Sequence, residues 1–318
     1  MSRRDFLKQS GTLMGVVAGM GFVGASSARG LAHSIAIAPN KPSPLSAPPE
    51  GGLPVAFLLG KDAEVLDVCG PLEVFAGAVT KSGNQLFAPF TVAKTADPVV
   101  IGGNMKVVPD HTFETAPQPK VIVIPAMNTT AVSPEMCDWI RTASSGADVT
   151  MSVCDGAFVL AKTGLLNGKS ATAHHGSYFN LAAEYPKIHL KRGARFVEDG
   201  DLVSSGGVSS GIDLALRTVE RYVGRDLTER LIDGIEYQGR GWLDAASNIA
   251  YARMPELLGE HPLCPVCLMQ GNRTIKADYK KRTYYFCSSD HQKTFVAHTD
   301  VFDRFIAEDA GKSRATTS

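Results

Sequence analysis

A predicted strand that turns directly into a helix at a cysteine constrains the fold of this chain most. Residues 149–153 form a short apolar, β-branched run, and an apolar helical pattern follows over residues 158–166. Cys154 lies at the junction, where a sharp strand-to-helix turn strains the backbone and directs the N–H groups of the helix start at the side chain. We therefore expect a reactive thiol with a lowered pKa. A buried core cysteine is the alternative.

A doubly wound, mainly parallel α/β sheet is predicted for residues 54–245. Apolar strands, the clearest over residues 121–124, alternate with amphipathic helices. One helix is expected from the N-cap Ser133 to about Ser144, a long one over residues 208–223, and a helical stretch over residues 226–245. Such flavodoxin-like sheets bind ligands at the carboxyl ends of their strands, and Cys154 lies at one such end.

Three segments carry a resemblance to a known family. Residues 153–175, VCDGAFVLAKTGLLNGKSATAHH, resemble the nucleophile-elbow segment of the ThiJ/PfpI superfamily, which has the class I glutamine amidotransferase-like fold. Residues 65–78, VLDVCGPLEVFAGA, resemble its first loop and helix, and residues 204–224 resemble its last long helix. The resemblance spans residues 54–242 and is nearest to the branch of isocyanide (isonitrile) hydratases and of AraC-type regulator sensor domains.

The resemblance implies a catalytic set of Cys154, Asp67 and His174. Asp67 falls where the hydratases keep an acid beside the cysteine, and a carboxyl group there would have a raised pKa and donate a proton. A helix N-cap near Gly70 is its alternative role. Either His174 or its neighbour His175 matches the family's histidine position, as a base, an orienting group or a part of the pocket wall.

Four further residues are predicted to contact a substrate. Gly156 leaves room for it near the backbone, and a backbone N–H near Gly207 or Met127 would complete an oxyanion hole with those after Cys154. Asp155 departs from the family, in which threonine often follows the nucleophile. Its negative charge opposes a lowered thiol pKa and puts hydratase specificity in question.

The C-terminal segment is predicted to bind a metal ion. Residues 260–308 resemble the YHS/TRASH-type heavy-metal module, with a Cys-Pro-Val-Cys turn and a Tyr-Phe-Cys-Ser segment. The family usually has a cysteine near the His291 position, so a Cys3His set is a departure. These soft ligands favour zinc or copper(I). A redox dithiol and a structural disulfide are the alternatives. The expected ligands are Cys264, Cys267, Cys287 and His291.

The remaining segments suggest an exported protein. Arg3 and Arg4 precede a Gly-rich apolar run, which indicates a twin-arginine signal peptide over residues 1–32, and hence a translocase partner and a periplasmic location. An uncleaved anchor helix is the alternative.

Residues 33–53 form a Pro-rich linker. Residues 246–259 are expected to link the two modules, and residues 309–318 to form a disordered tail.

Composition narrows the function classes. Lys plus Arg and Asp plus Glu both number 32, so the balanced charge argues against nucleic-acid binding. No cofactor is expected in the α/β domain, and the resemblance implies a homodimer. Cys69 and Cys137 are expected to be buried thiols. Two classes remain: a Cys-dependent hydratase or amidase acting on a small C–N substrate, and a non-enzymatic module that binds a ligand or responds to redox state or metals.

Overall fold

A seven-stranded sheet organises the part of the chain that the computed structural model describes, residues 44–315. The predicted signal peptide and most of the predicted linker lie outside the described residues. The strands are β1 (Leu53–Leu58), β2 (Phe87–Ala93), β3 (Val99–Val100), β4 (Lys106–Val107), β5 (His111–Thr112), β6 (Val121–Ile124), β7 (Val149–Ser152), β8 (Ser170–Ala171), β9 (His189–Leu190), β10 (Phe196–Asp199), β11 (Leu202–Ser205), β12 (Asn272–Tyr279) and β13 (Arg282–Phe286). The helices are α1 (Val65–Gly77), α2 (Pro134–Ser144), α3 (Gly156–Lys162), α4 (Tyr178–Glu184), α5 (Ser210–Val223), α6 (Arg225–Gly234), α7 (Ser289–Ala297) and α8 (Thr299–Ala315).

The large sheet has the order β10-β11-β7-β6-β1-β2-β5. All of its neighbouring strands run parallel except β10 and β11. Strands β6 and β7 are buried along their whole length, as apolar strands covered by helices on both faces are. The predicted doubly wound, mainly parallel fold is confirmed. In this arrangement the carboxyl ends of β1, β6, β7 and β11 meet at one edge of the sheet.

Aromatic side chains tie α1 and α5 to the sheet. Phe75 of α1 contacts Phe57 and Phe87 edge-on, with ring centroids 6.3 and 5.1 Å apart, and Phe87 contacts Tyr222 of α5 at 5.6 Å. All four rings are buried. Edge-to-face contacts of this kind stabilise a core beyond the area they bury, so they hold α1 against β1 and β2, and α5 against β2.

A second apolar core joins the C-terminal module to the α/β domain. The hairpin β12–β13 and helices α7 and α8 surround the buried rings of Tyr284, Phe286, Phe295, Phe302 and Phe305. Tyr178 and Phe179 of α4 belong to the same core. Because a module of about 50 residues buries little surface alone, this shared core is a large part of its support.

Three sequence predictions differ from the structure. The helical stretch expected over residues 226–245 ends at Gly234, because Glu236 has a positive φ of 52° and the chain then turns so that the Trp242 N–H donates to Asp213. The tail predicted as disordered from residue 309 is helical to Ala315, since Phe305 anchors α8 in the second core. Cys69 is exposed, because it lies on the outer side of α1, whereas Cys137 is buried.

Within the described residues, every helix is too short or too polar to cross a bilayer.

Candidate functional site

Cys154 lies at a strained junction between β7 and α3. Its φ of +56° is in the left-handed region, which confirms the predicted sharp turn between strand and helix. Its backbone N–H donates to the carbonyl oxygen of Gly206 at 3.1 Å, which ties the turn to the end of β11. The side chain is 6% exposed, so the thiol is more deeply buried than the sequence suggested.

Burial raises the pKa of the Cys154 thiol to about 12. The negative charges of Asp155 and Asp67 act in the same direction, while backbone N–H groups of Val208 and Asp155 hydrogen-bond to the sulfur and oppose them. The predicted lowering of this pKa was therefore wrong. The backbone donors are present, but removal of the thiolate from water outweighs them.

Asp67 is a buried acid in the first turn of α1. Its Oδ2 accepts a hydrogen bond from the Ala126 N–H, at the end of β6, at 3.0 Å. Its Oδ1 is buried and has no hydrogen-bond partner among the described residues. Burial raises the pKa of this carboxyl group to about 7. The sequence analysis predicted that this pKa would be raised. The N-cap of α1 is Glu64, so the alternative capping role for Asp67 was wrong.

A turn that contains His174 and Ser177 lies against Asp155 of the elbow. His174 Nδ1 accepts a hydrogen bond from the Gly176 N–H at 3.1 Å, so the neutral ring carries its hydrogen on Nε2 and can donate there. Asp155 Oδ2 accepts from Ser177 Oγ at 2.8 Å, and burial raises the pKa of Asp155. The His175 ring lies 4.3 Å from His174, and burial followed by the charge of His174 lowers the pKa of His175.

A cavity of about 350 Å³ opens beside this turn. Its polar and aromatic lining includes residues that sequence reasoning missed. Tyr251 stacks on His175 with centroids 4.5 Å apart, and Arg195 Nε donates to the buried Asp213 at 2.6 Å, which neutralises the cation at the cavity wall. The missed lining residues are Leu66, Tyr178, Arg195, Val208, Ser209, Asn248 and Tyr251. Asn248 and Tyr251 fall in the predicted linker, and no motif or periodicity marks them.

Gly207 is the predicted substrate-contacting residue that the structure places in the cavity wall. A Cβ on Gly207 would lie 2.6 Å from the His174 ring, so its lack of a side chain leaves room for that ring. Gly156 has a packing role, because its Cβ would meet the Ile124 carbonyl oxygen at 2.1 Å. Glycine is needed there for contact between α3 and β6, and its predicted contact with a substrate stays a prediction.

The predicted oxyanion hole stays a prediction, and the backbone donors available for it lie directly after Cys154 and next to Gly207. Met127 packs over Gly60 and lies outside the cavity lining, and the Gly206 N–H already donates to the Arg195 carbonyl oxygen at 2.9 Å. The backbone donors that face the sulfur belong to Val208 and Asp155. Two N–H groups converging at a nucleophile can stabilise negative charge that develops on a bound substrate.

The four predicted metal ligands come together in the C-terminal module. Their ligand atoms lie within 4.8 Å of one another. Cys267 Sγ is 3.5 Å from Cys287 Sγ, and His291 Nδ1 is 3.0 Å from Cys287 Sγ and 3.8 Å from Cys264 Sγ. Sulfur atoms bound to one tetrahedral Zn²⁺ at about 2.3 Å would lie roughly 3.8 Å apart. The donor set and its spacing therefore fit one tetrahedral metal ion.

Of the two alternatives for these cysteines, the structural disulfide fits less well, and the redox dithiol stays an alternative. All three are free thiols, and 3.5 Å between Cys267 and Cys287 is too long for a disulfide of about 2.05 Å. A hydrogen bond from Cys267, together with backbone N–H groups of Cys287, Val266 and Cys267 itself, lowers the pKa of Cys264. The arrangement can hold a metal ion, and its chemistry does not identify which one.

The strained cysteine at the strand–helix junction and the parallel sheet define an α/β protein of the nucleophile-elbow class. A family model described as the DJ-1/PfpI family matches residues 54–221. The chain belongs to that family, as the ThiJ/PfpI resemblance predicted.

Three known proteins show the range of relatives. An isonitrile hydratase of Pseudomonas putida is 32% identical over 200 residues, which cover 61% of this chain and 83% of the relative. An HTH-type transcriptional regulator, GbdR of Pseudomonas aeruginosa, is 21% identical over 60% of this chain and 53% of its own length. The crystal structure of a ThiJ/PfpI family protein from Pseudomonas syringae is 26% identical, with a TM-score of 0.53, over 66% of this chain and 84% of that protein.

Proposed function

We propose that this protein is a Cys-dependent hydratase that converts an isocyanide to an N-substituted formamide. One observation carries the proposal. Asp67 has a pKa raised to about 7, and its Oδ1 has no hydrogen-bond partner in the described part of the chain; it lies close enough to Cys154 for its charge to raise the thiol pKa. An acid that still holds a proton near neutral pH, beside a nucleophile, is what hydration of a C–N triple bond requires. The similarity to an isonitrile hydratase supports the same substrate class.

The first step joins protonation to nucleophilic attack. Asp67 gives its proton to the terminal carbon of the isocyanide, which makes that carbon electrophilic. Cys154 sulfur then forms a bond to the same carbon, and the thiol proton passes to the Asp67 carboxylate. The product of this step is a thioimidate, in which nitrogen is doubly bonded to a CH group carrying the sulfur. Since one proton leaves Asp67 and one returns, a thiol with a raised pKa need not ionise before the substrate binds.

Water completes the reaction. It adds to the thioimidate carbon, the C–S bond breaks, and the sulfur regains a proton as the N-substituted formamide leaves. The sum is one isocyanide plus one water giving one formamide, with no change of oxidation state at the protein. In this mechanism the His174 Nε2–H and the backbone N–H groups of Val208 and Asp155 stabilise the nitrogen and the adding oxygen. Covalent capture divides the hydration into two lower barriers.

Steady-state assays test this proposal. We expect purified protein to convert alkyl and aryl isocyanides to formamides that mass spectrometry identifies. Cys154→Ala should abolish turnover, and Asp67→Asn should lower kcat by about 10²- to 10⁴-fold, as loss of a general acid does. Cys137→Ala is the matched control, because Cys137 is likewise a buried free thiol but lies on α2 and not at the strand–helix junction. Formamide production by Cys154→Ala at the wild-type rate would contradict the proposal.

We propose zinc as the metal of the C-terminal module. Three sulfur ligands and one imidazole at tetrahedral spacing are typical of a structural zinc site. Such a site stabilises a small domain strongly, on the order of 10 kcal/mol in isolated zinc-finger peptides. Elemental analysis of the purified protein should find one zinc ion per chain, and His291→Ala should lose it. Stoichiometric copper in place of zinc would correct the assignment.

Export through the twin-arginine pathway is the proposed route to the periplasm. It rests on Arg3, Arg4 and the following Gly-rich run, which lie outside the described residues. Changing both arginines to lysine should retain the protein in the cytoplasm, as fractionation and immunoblotting would show. Normal periplasmic accumulation of the double variant would contradict this route.

A homodimer remains a prediction from the family resemblance. Sedimentation velocity at micromolar concentration measures it directly. A species of twice the chain mass of 33.8 kDa supports it, and a monomer across the accessible concentration range contradicts it.

A non-enzymatic binding or sensing role is the second candidate. The observation in its favour is the Cys154 pKa of about 12, which leaves little thiolate to react at neutral pH. The similarity to transcriptional regulators supports a domain that binds a ligand without turning it over. Binding of an N-substituted formamide or an isocyanide with no product formed, and with no adduct on Cys154, would favour this role over the hydratase.

A further inference from the structure

The turn of residues 174–177 contacts the cysteine elbow at Asp155, through the Ser177 side chain and the His174 backbone N–H. His174 lines the cavity, and its Nδ1 is fixed by the Gly176 N–H at 3.1 Å. Ser177 Oγ donates to Asp155 Oδ2 at 2.8 Å, directly beside Cys154. A shift of this turn would therefore move the His174 Nε2–H donor in the cavity. It would also remove the Ser177 hydrogen bond from the Asp155 carboxylate, next to Cys154.

The other side of the same turn rests on the metal-binding knuckle, defined here as residues 264–268. A Cβ on Gly176 would lie 3.0 Å from the Cys267 carbonyl oxygen and 3.2 Å from His174 Nδ1. The turn is thus packed against the backbone of one predicted metal ligand, so tightly that a methyl group on Gly176 would displace its neighbours by a few tenths of an ångström. Gly176 therefore contacts both the metal-binding knuckle, at Cys267, and the cavity residue His174.

The helix after the turn continues into the core of the metal module. Phe179 of α4 stacks on Phe295 of α7 with ring centroids 6.1 Å apart and contacts Phe305 of α8 at 6.4 Å. Phe295 is one helical turn beyond the ligand His291, on the same helix. The turn 174–177 is therefore supported at Gly176 by the knuckle and at its carboxyl end by the module's core.

We propose that the metal-loaded knuckle positions the turn 174–177, so that metal binding and the reactivity of Cys154 are coupled. The knuckle needs a bound metal ion to hold its shape, because Leu268 has a strained φ of +62° next to Cys267, and the ligand atoms of Cys264 and Cys267 lie within 4.8 Å of those of Cys287 and His291. Loss of the metal releases the knuckle and then the turn. This inference rests on the proposed metal centre and is independent of the isocyanide substrate.

Site-resolved labelling of the full-length chain tests the coupling. Protein carrying one equivalent of Zn²⁺ is compared with protein stripped by a chelator, and the rate of iodoacetamide labelling is measured for each cysteine by peptide mass spectrometry. We expect Cys154 to label faster after stripping by about 5- to 150-fold, the usual range of coupling between two sites, because water reaches the loosened elbow. Cys137 should stay protected in the α/β core, which separates loosening of the turn from global unfolding.

Hydrogen exchange supplies a readout that does not depend on thiol chemistry. Stripping should raise exchange of the Gly176 and Ser177 amides and leave that of β6 and β7 unchanged. Return of one equivalent of Zn²⁺ should restore both the exchange and the labelling rates. Unchanged Cys154 labelling and unchanged exchange over 174–177, in protein shown by elemental analysis to have lost its zinc, would overturn the proposal.

Gly176→Ala tests the same coupling in the opposite direction. Since a methyl group there pushes against the Cys267 carbonyl, the variant should bind Zn²⁺ more weakly in competition with a chromogenic chelator and label faster at Cys154. Thermodynamic linkage requires that, if metal binding changes the conformation of the turn 174–177, a change in that turn also changes the metal affinity. Gly234→Ala is the matched control, because a Cβ there meets nothing within 4 Å. Equal zinc affinities for Gly176→Ala and Gly234→Ala would also overturn the proposal.

Discussion

Two opposing effects determine the pKa of the Cys154 thiol. Backbone N–H groups of Val208 and Asp155 stabilise the thiolate, as the sequence led us to expect. Burial acts against them and prevails, because the thiolate loses its hydration and gains only two hydrogen bonds. The same burial at Asp67 favours a neutral acid. The rise in the pKa of Asp67 could be predicted from the sequence. The rise in the pKa of Cys154 could not, because it depends on how deeply the fold buries the thiol.

Asp67→Asn should lower the pKa of Cys154. The negative charge of Asp67 is one cause of the raised thiol pKa, so its removal favours the thiolate. The midpoint of a pH titration of Cys154 alkylation should move to lower pH than in the wild type, even though turnover falls. Glu73→Gln, an exposed change on the same helix, is the control and should leave the midpoint in place. A midpoint unchanged or raised in Asp67→Asn would contradict the proposed proximity.

Asp67 should also make stability depend on pH. Its pKa is about 7 in the folded chain and about 3.9 when unfolded, so the folded state holds the proton more tightly. The resulting stabilisation is fully present below pH 4 and is lost as the pH rises through 7. Three pKa units correspond to at most about 4 kcal/mol. Relative to Asp67→Asn, the wild type should lose free energy of unfolding between pH 4 and pH 8 in denaturant titrations. Parallel profiles for the two proteins would contradict this assignment.

At the scale of single elements, the buried strands and the capped helix were predictable. The β-branched residues of β6 and the Ser133 cap of α2 are local signals, and both elements occur where the sequence placed them. The proximity of Asp67 to Cys154 was implied by the family resemblance and not by any local signal, and in the structure the charge of Asp67 contributes to the raised pKa of Cys154. The cavity wall formed by Asn248 and Tyr251 was not predictable, because it depends on a turn held by the distant Asp213.

Gly156→Ala should destabilise the contact between α3 and β6. Its methyl group would overlap the carbonyl oxygen of Ile124, and neither backbone can move without breaking the sheet. Overpacking of this kind costs about 3 kcal/mol. Urea unfolding should show this loss, while Gly234→Ala, which enters open space, should be neutral or slightly stabilising. A Gly156→Ala protein as stable as the wild type would show that glycine is not required at the elbow.

At the scale of the whole molecule, two modules with separate sequence signals share one interface. The α/β domain contributes α4 and Arg192, and the metal module contributes its aromatic core and α8. The sequence indicated both modules and their order. It did not indicate that the segment after α6 would enter the cavity or that α8 would extend to Ala315, since both depend on contacts between residues far apart in the chain.

Arg192 is expected to secure this interface. Its side chain is 3% exposed, its Nη2 donates to Glu308 at 2.9 Å and to Asp309 at 2.8 Å, and its guanidinium lies 4.2 Å from the Phe305 ring centroid. Arg192→Ala should cost about 2–4 kcal/mol, less than a fully buried pair because Glu308 is partly exposed. Thermal unfolding and limited proteolysis of α8 measure the loss. The exposed Arg304→Ala serves as control, and equal effects of the two variants would contradict the role of Arg192.

The central claim, that Cys154 captures the substrate carbon while Asp67 supplies the proton, is tested most directly by mass spectrometry of the protein during turnover. Protein mixed with an isocyanide and quenched within milliseconds should carry one added substrate mass, located on the peptide containing Cys154. Asp67→Asn should form this adduct about 10²- to 10⁴-fold more slowly, and Cys154→Ser should not form it at all. Formamide produced by the wild type with no adduct on Cys154 at any time, or an adduct that forms as fast in Asp67→Asn as in the wild type, would contradict the mechanism.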